Sequence, residues 1–154
     1  LEFRRVLFRS SLLGVARTKQ HSEKVTSLIE KLQHHLFILG ADLATPESAA
    51  VTWKIRRIAE AEVVEVEAAI EDLNAELPPL KEFILPGGSL AGAMLHLARA
   101  VARRAERAVA AVAAVEPLNP LAMIYLNRLS DLLFVLARAV NKDASIPESS
   151  AQFH

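Results

Sequence analysis

Between Val25 and Leu39, apolar residues fall at Val25, Leu28, Ile29, Leu32, Leu36 and Leu39. Steps of three and four place these side chains on one side of an α-helix, but on both sides of a β-strand. A chain spaced this way has a helical stripe to bury. The same spacing returns at Val63, Val66, Ile70 and Leu73, within a stretch of about Ala59 to Glu76. It returns again from about Leu121 to Asn141, where Leu129, Leu132, Leu133 and Leu136 pack. "SLLGVART", from Ser11, reads as the tail of an earlier helix. "ATPES", Pro78–Pro79 and "EPLNP" break the pattern. Ser22 begins an imperfect capping box, with Val25 where an acid would reach back, and Ser89 or Gly88 lies near the N-cap of the next helix. No segment alternates like a strand, and alanine and leucine dominate while glycine is sparse. The chain has 154 residues, enough for one domain burying about 70% of its unfolded surface. The expectation is an all-α, up-and-down helical bundle with short connections and no internal repeat.

Composition removes several function classes. Lys plus Arg and Asp plus Glu are 18 each, and this zero net charge argues against a general nucleic-acid binder. The absence of cysteine excludes disulfides and thiolate metal sites. No apolar run approaches the ~20 residues of a membrane span. Residues 1–10, "LEFRRVLFRS", are read as a non-native segment, a vector, adaptor or fusion scar. Residues 11–141 are read as the bundle, and the polar stretch 142–154, "KDASIPESSAQFH", as a disordered tail.

The chemistry concentrates in "HLARAVARRAER", His96 to Arg107. Arg99, Arg103 and Glu106 fall within an arc of about 60°; His96 and Arg107 extend it to about 100°, and Arg104 sits off it near ~140°. Met94, Val101, Ala105, Ala108 and Val109 take the opposite, packing side. Such a face is either solvated or an anion site, since arginine's fixed fork of donors suits phosphate. In the last helix, Asn127, Asp131, Phe134 and Arg138 share a face within about 60°. If buried, this Asn and Asp need partners, either in neighbouring helices or in a ligand. "PGGS" could present backbone N–H groups to an anion, though it lacks the Lys-Ser/Thr of a P-loop. Phe83, just before it, has core packing as its commoner fate. His34 and His35 point about 100° apart and cannot chelate one metal together. Glu60, Glu62, Glu65 and Glu67 lack the Glu-x-x-His partner of a di-iron bundle and read as a solvated face. No metal site and no Ser-His-Asp arrangement is legible.

Together, "FILPGGS", "HLARAVARRAER" and "YLNRLSDLLFVLAR" resemble the PduO-type ATP:corrinoid adenosyltransferases, and "LFILGADLATP" and "ELPPLKEFILPGG" agree. The resemblance spans Ser11 to Asn141. It implies a cytoplasmic five-helix bundle, assembled as a homotrimer with an active site at each subunit interface. The implied reaction moves the 5′-deoxyadenosyl group of ATP to the cobalt of a reduced corrinoid, giving adenosylcobalamin and triphosphate. Mg²⁺ is the implied counter-ion, and a flavin-dependent corrinoid reductase an implied partner; neither nucleic acid nor membrane is. By position, Arg103, Arg104, Glu106 and Asn127 match ATP-binding residues, and Arg99 matches an arginine paired with an aspartate across the interface. Phe83 and Asp131 match corrinoid-binding positions. Phe83 would pack on the corrin's lower face and favour four-coordinate cobalt, so Phe83 and Arg103 are the implied catalytic pair. The family's Thr- and Gly-rich ATP loop has no counterpart here, and Leu7 stands where its early aspartate belongs. The first helix is therefore expected to be incomplete, Arg99 to lack its interface partner, and residues 1–154 to bind ATP poorly and trimerise weakly. The alternative is a non-catalytic corrinoid-binding or interaction bundle.

Overall fold

The computed structural model describes residues 2–19, 21–45 and 54–152, with side chains from residue 10 onward. It has five helices: α1 (Glu2–Arg17), α2 (Glu23–Ala44), α3 (Glu60–Glu76), α4 (Leu90–Ala113) and α5 (Pro120–Asp143). Among the described residues the only β-pairing is an isolated antiparallel bridge, Ile84 to Ser150. The all-α expectation holds.

Each boundary has a local cause. Ser22 Oγ accepts the Val25 N–H at 3.3 Å, and Ser89 Oγ accepts the Gly92 N–H at 2.9 Å. Asn119 caps α5 through Leu121 N–H, with Pro120 in the first turn. At α3 the Glu62 carboxylate accepts the Ala59 N–H at 2.9 Å. Ser145, at φ 56°, ends α5: Ser145 N–H donates to Lys142 O and Ile146 N–H to Asn141 O, both at 2.9 Å. These are the two bonds of a Schellman turn, made here without glycine.

α5 is the axis of the bundle. It packs on α4, on α3 and more lightly on α2, while α1 packs on α2 and α4. Leu126, Leu129, Leu132, Leu133, Leu136 and Val140 are buried along it. Contrary to the sequence expectation, this helix is long and apolar enough to cross a membrane by length and composition; 56% of that window is buried inside the bundle. The buried face of α4 includes Ala91, Leu95, Ala98, Ala102, Ala105 and Val109, in alternating steps of four and three, and the helix packs on α5 and α1. That is heptad spacing, and its alanines let a neighbouring helix approach closely.

Asp42, 2% exposed, ties the far end together. One oxygen pairs with Arg57 at 2.5 Å; the other accepts from Ile58 N–H at 2.9 Å and from Asn119 Nδ2 at 2.7 Å.

Two expectations change, and the reading of residues 1–10 as a non-native segment stays an expectation. Residues 2–10 form a helix continuous with 11–17, so the segment read as a scar shares an element with the bundle; the Leu7 side chain lies outside the described residues. The stretch read as a disordered tail is ordered through Gln152, beginning inside α5 and pairing beyond it. Of the acids on α3, Glu60, Glu65 and Glu67 are exposed, but Glu62 is buried and holds Arg56 at 2.6 Å.

Candidate functional site

α4 turns its alanine seam inward and leaves Arg99, Arg103, Arg104 and Arg107 exposed. A continuous polar chain crosses from α4 to α5. Arg103 Nη1 meets Glu106 Oε2 at 2.6 Å, and the other Glu106 oxygen accepts from Asn127 Nδ2 at 2.8 Å. Asn127 Oδ1 accepts from Arg128 at 2.6 Å, and Arg128 pairs with Asp131 at 3.1 Å. Glu106 occupies one edge of the Arg103 guanidinium, and the five-donor fork leaves further N–H groups to offer an anion. Asn127 and Asp131 are half-buried, and both are satisfied within the chain. Farther along the same face, Arg99 lies over the Phe134 ring at 4.7 Å, a cation–π contact within one chain.

The sequence places His96 on this charged arc; the structure buries it edge-on against Phe134, centroids 6.0 Å apart. Burial pushes its pKa below the usual histidine value, Arg99 adds to this, and Glu148 opposes both. Arg138 also leaves the shared face. It is buried and paired with Glu148, with a further bond to Pro78 O at 2.7 Å. "PGGS" offers no anion cradle. Asn141 Oδ1 takes the Ser89 N–H and hydroxyl at 2.9 Å each, and Asn141 Nδ2 donates to Gly87 O. Gly88, at φ 96°, and Gly92 are required because a Cβ at either would run into Asn141.

Phe83 is not in the core: it is 78% exposed. Asn127 and Arg138 sit three turns apart on α5, so the guanidinium cluster and the Phe83 loop are separated by roughly 16 Å along that helix. The cluster lies on an open face. A cavity of about 740 Å³, lined by residues including Lys19, His21, Ser22, Ser89 and Asp143, contains none of its members. Among the described residues no group of three or more His, Asp or Glu could hold a metal ion.

Sequence reasoning missed Arg128, Asn141 and Glu148. Arg128 carried a signal, the i,i+3 spacing to Asp131. Asn141 and Glu148 carried none, because their partners lie 52 and 10 residues away.

The bundle and its exposed guanidinium face define a helical protein with a candidate polyanion site spanning α4 and α5. The chain belongs to the cobalamin adenosyltransferase family, whose sequence model matches residues 9–140. A corrinoid adenosyltransferase of Mycobacterium tuberculosis is 41% identical over 140 residues, covering 89% of this chain and 72% of the relative. Corrinoid adenosyltransferase PduO of Citrobacter freundii is 42% identical over 129 residues, 84% of this chain and 37% of that protein. A phenylalanine-to-alanine variant of the PduO-type ATP:corrinoid adenosyltransferase of Lactobacillus reuteri, solved with cobalamin and ATP, superposes with a TM-score of 0.90. It is 30% identical, with 99% of this chain and 84% of that one covered.

Proposed function

We propose that this chain transfers the 5′-deoxyadenosyl group of ATP to the cobalt of a reduced corrinoid. The cobalt(I) electron pair attacks C5′, the C5′–O bond breaks, and its electrons leave on triphosphate. The protein's share is orientation and charge stabilisation; the corrinoid supplies the nucleophile. Arg103 and Arg104 would take the phosphates, and Glu106 would hold Arg103 and Asn127 in register while Asn127 contacts the nucleotide. Phe83 and Asp131 would face the corrinoid. Mg²⁺ would ride on the triphosphate oxygens, as this ion commonly does.

The observation that carries this reading is the Arg103–Glu106–Asn127 chain, a guanidinium fixed from behind by a carboxylate that is itself tied to α5. Because the cluster lies on an open face, a second copy would complete the site, which fits a homotrimer with Arg99 at the interface. A flavin-dependent reductase would supply cobalt(I), and the setting would be cytoplasmic. Arg103→Ala tests the reading. Losing a charged partner of the ligand should cost about 2–5 kcal/mol in ATP-dependent turnover, measured under strong reductant. Unchanged kinetics would refute the assignment.

A further inference from the structure

Phe83 is largely exposed, yet the backbone around it is held firmly. Phe83 O accepts from Ala151 N–H at 2.8 Å, and Leu85 N–H donates to Ser149 O at 2.8 Å. These bonds flank the Ile84–Ser150 bridge and make a miniature antiparallel ladder. So short a ladder does not persist by itself in water. Its anchor is Arg138, whose side chain is only 4% exposed. Arg138 Nε and Nη2 engage both oxygens of Glu148, at 2.5 and 3.3 Å, and Nη2 also donates to Pro78 O at 2.7 Å. Pro78 lies on the approach to Phe83, and Glu148 lies next to the pairing residues of the tail. One buried guanidinium on α5 therefore fixes both strands of the ladder. The turn at Ser145 aims the tail at this place.

We propose that Arg138 and Glu148 are positioning residues for Phe83: through the 149–151 segment they set where its ring meets the corrinoid. This rests on the reading that Phe83 acts on the corrinoid. Neither residue needs to touch substrate. A buried Arg–carboxylate pair with a fork geometry fixes position as well as energy. A displacement of about 1 Å at a reacting centre is enough to slow chemistry roughly a hundredfold.

The test compares Glu148→Ala, Glu148→Gln and Phe83→Ala in the full chain. Glu148 lies on the tail and is partly exposed, but its loss leaves the buried Arg138 with Pro78 O as its remaining partner and should lower global stability, so thermal melts first establish that each variant is folded at the assay temperature. In Glu148→Ala, hydrogen exchange at the Leu85 and Ala151 amides should accelerate about tenfold or more beyond any change at the α4 and α5 core amides, which report the global loss of stability. The four-coordinate cobalt(II) signal of cob(II)alamin with ATP should fall, and kcat with it, while KM for ATP stays near wild type. Glu148→Gln, which keeps one acceptor oxygen for Arg138 Nε, should recover part of both. Unchanged exchange at Leu85 and Ala151 would overturn the proposal. So would faster exchange with the cobalt signal and kcat intact while Phe83→Ala loses them; in that case the reading of Phe83 survives. If Phe83→Ala itself keeps the full signal, that reading fails and the proposal falls with it.

Discussion

Glu106→Ala separates a phosphate clamp from a decorative charge run. The Glu106 side chain is 17% exposed and Arg103 49%. An ion pair this open to solvent contributes about 0.5 kcal/mol or less after screening. The bond from Asn127 to the other oxygen, at 2.8 Å, links two helices and has a charged acceptor. Such bonds contribute about 1.5 kcal/mol. Removing the carboxylate should therefore cost about 2 kcal/mol, lowering the Tm of a chain this size by roughly 4–8 °C. Glu106→Gln keeps an acceptor for Asn127 and should lose about half as much. The functional effect should exceed the structural one. Without Glu106, Arg103 samples several rotamers, and KM for ATP should rise about tenfold, equivalent to 1.4 kcal/mol. Thermal melts and initial rates at saturating cob(I)alamin measure both quantities on the same preparations. If Glu106→Ala melts like wild type and keeps its KM, Glu106 holds nothing, and the proposed clamp is wrong.

Three further outcomes follow from structure alone. Asp42→Ala removes the carboxylate from the half-buried Arg57, one of the two acceptors of Asn119 Nδ2, and the partner of the buried Ile58 N–H, so urea unfolding should show a loss of about 2 kcal/mol; a loss under about 1 kcal/mol would contradict the clamp. Ser145→Gly removes the left-handed penalty at the end of α5 and should raise stability by about 0.5 kcal/mol, readable as a higher urea midpoint at constant m. His35, buried against Tyr125, has its pKa lowered from 6.5 by burial, with Glu65 opposing. The unfolded chain therefore binds this proton first, so the stability His35 contributes is present above about 6.5 and is lost as the pH falls below it. His35→Asn should flatten the dependence of ΔG on pH between about pH 5 and 7 without abolishing it, since His96 is shifted the same way. An unaltered slope would show that His35 is not the source.

The helices were legible because their apolar spacing and their caps agree: Ser22, Ser89 and Pro120 sit where the local rules put helix starts. The arginine arc was legible for the same reason, since one helix fixes the angles among Arg99, Arg103 and Glu106. What failed was every inference that needed a second element. His96 lies at the right angle for a charged face, but Phe134 of another helix covers it. The tail is polar enough to read as disordered, yet Glu148 finds a buried arginine and the tail backbone pairs with Phe83 and Leu85. "PGGS" reads as a phosphate loop only until Asn141 fills it. Tertiary partners at long sequence separation leave no periodic trace.

The alanine seam of α4 has a consequence for the entropy of the site. Ala91, Ala98, Ala102 and Ala105 have no side-chain rotamers to choose among, so their burial freezes none. Where a buried methyl group of α4 meets a neighbouring helix, the contact has no alternative setting. The Asn127–Glu106 hydrogen bond joins α5 to α4 and persists only if their spacing stays constant. A Leu at Ala102 or Ala105 would widen it and give it several near-equivalent packings. The Arg103 guanidinium would then inherit that multiplicity while every residue around it remained unchanged. Loss of activity from such a core substitution would register as a broadened distribution of guanidinium positions, and only secondarily as a drop in melting temperature.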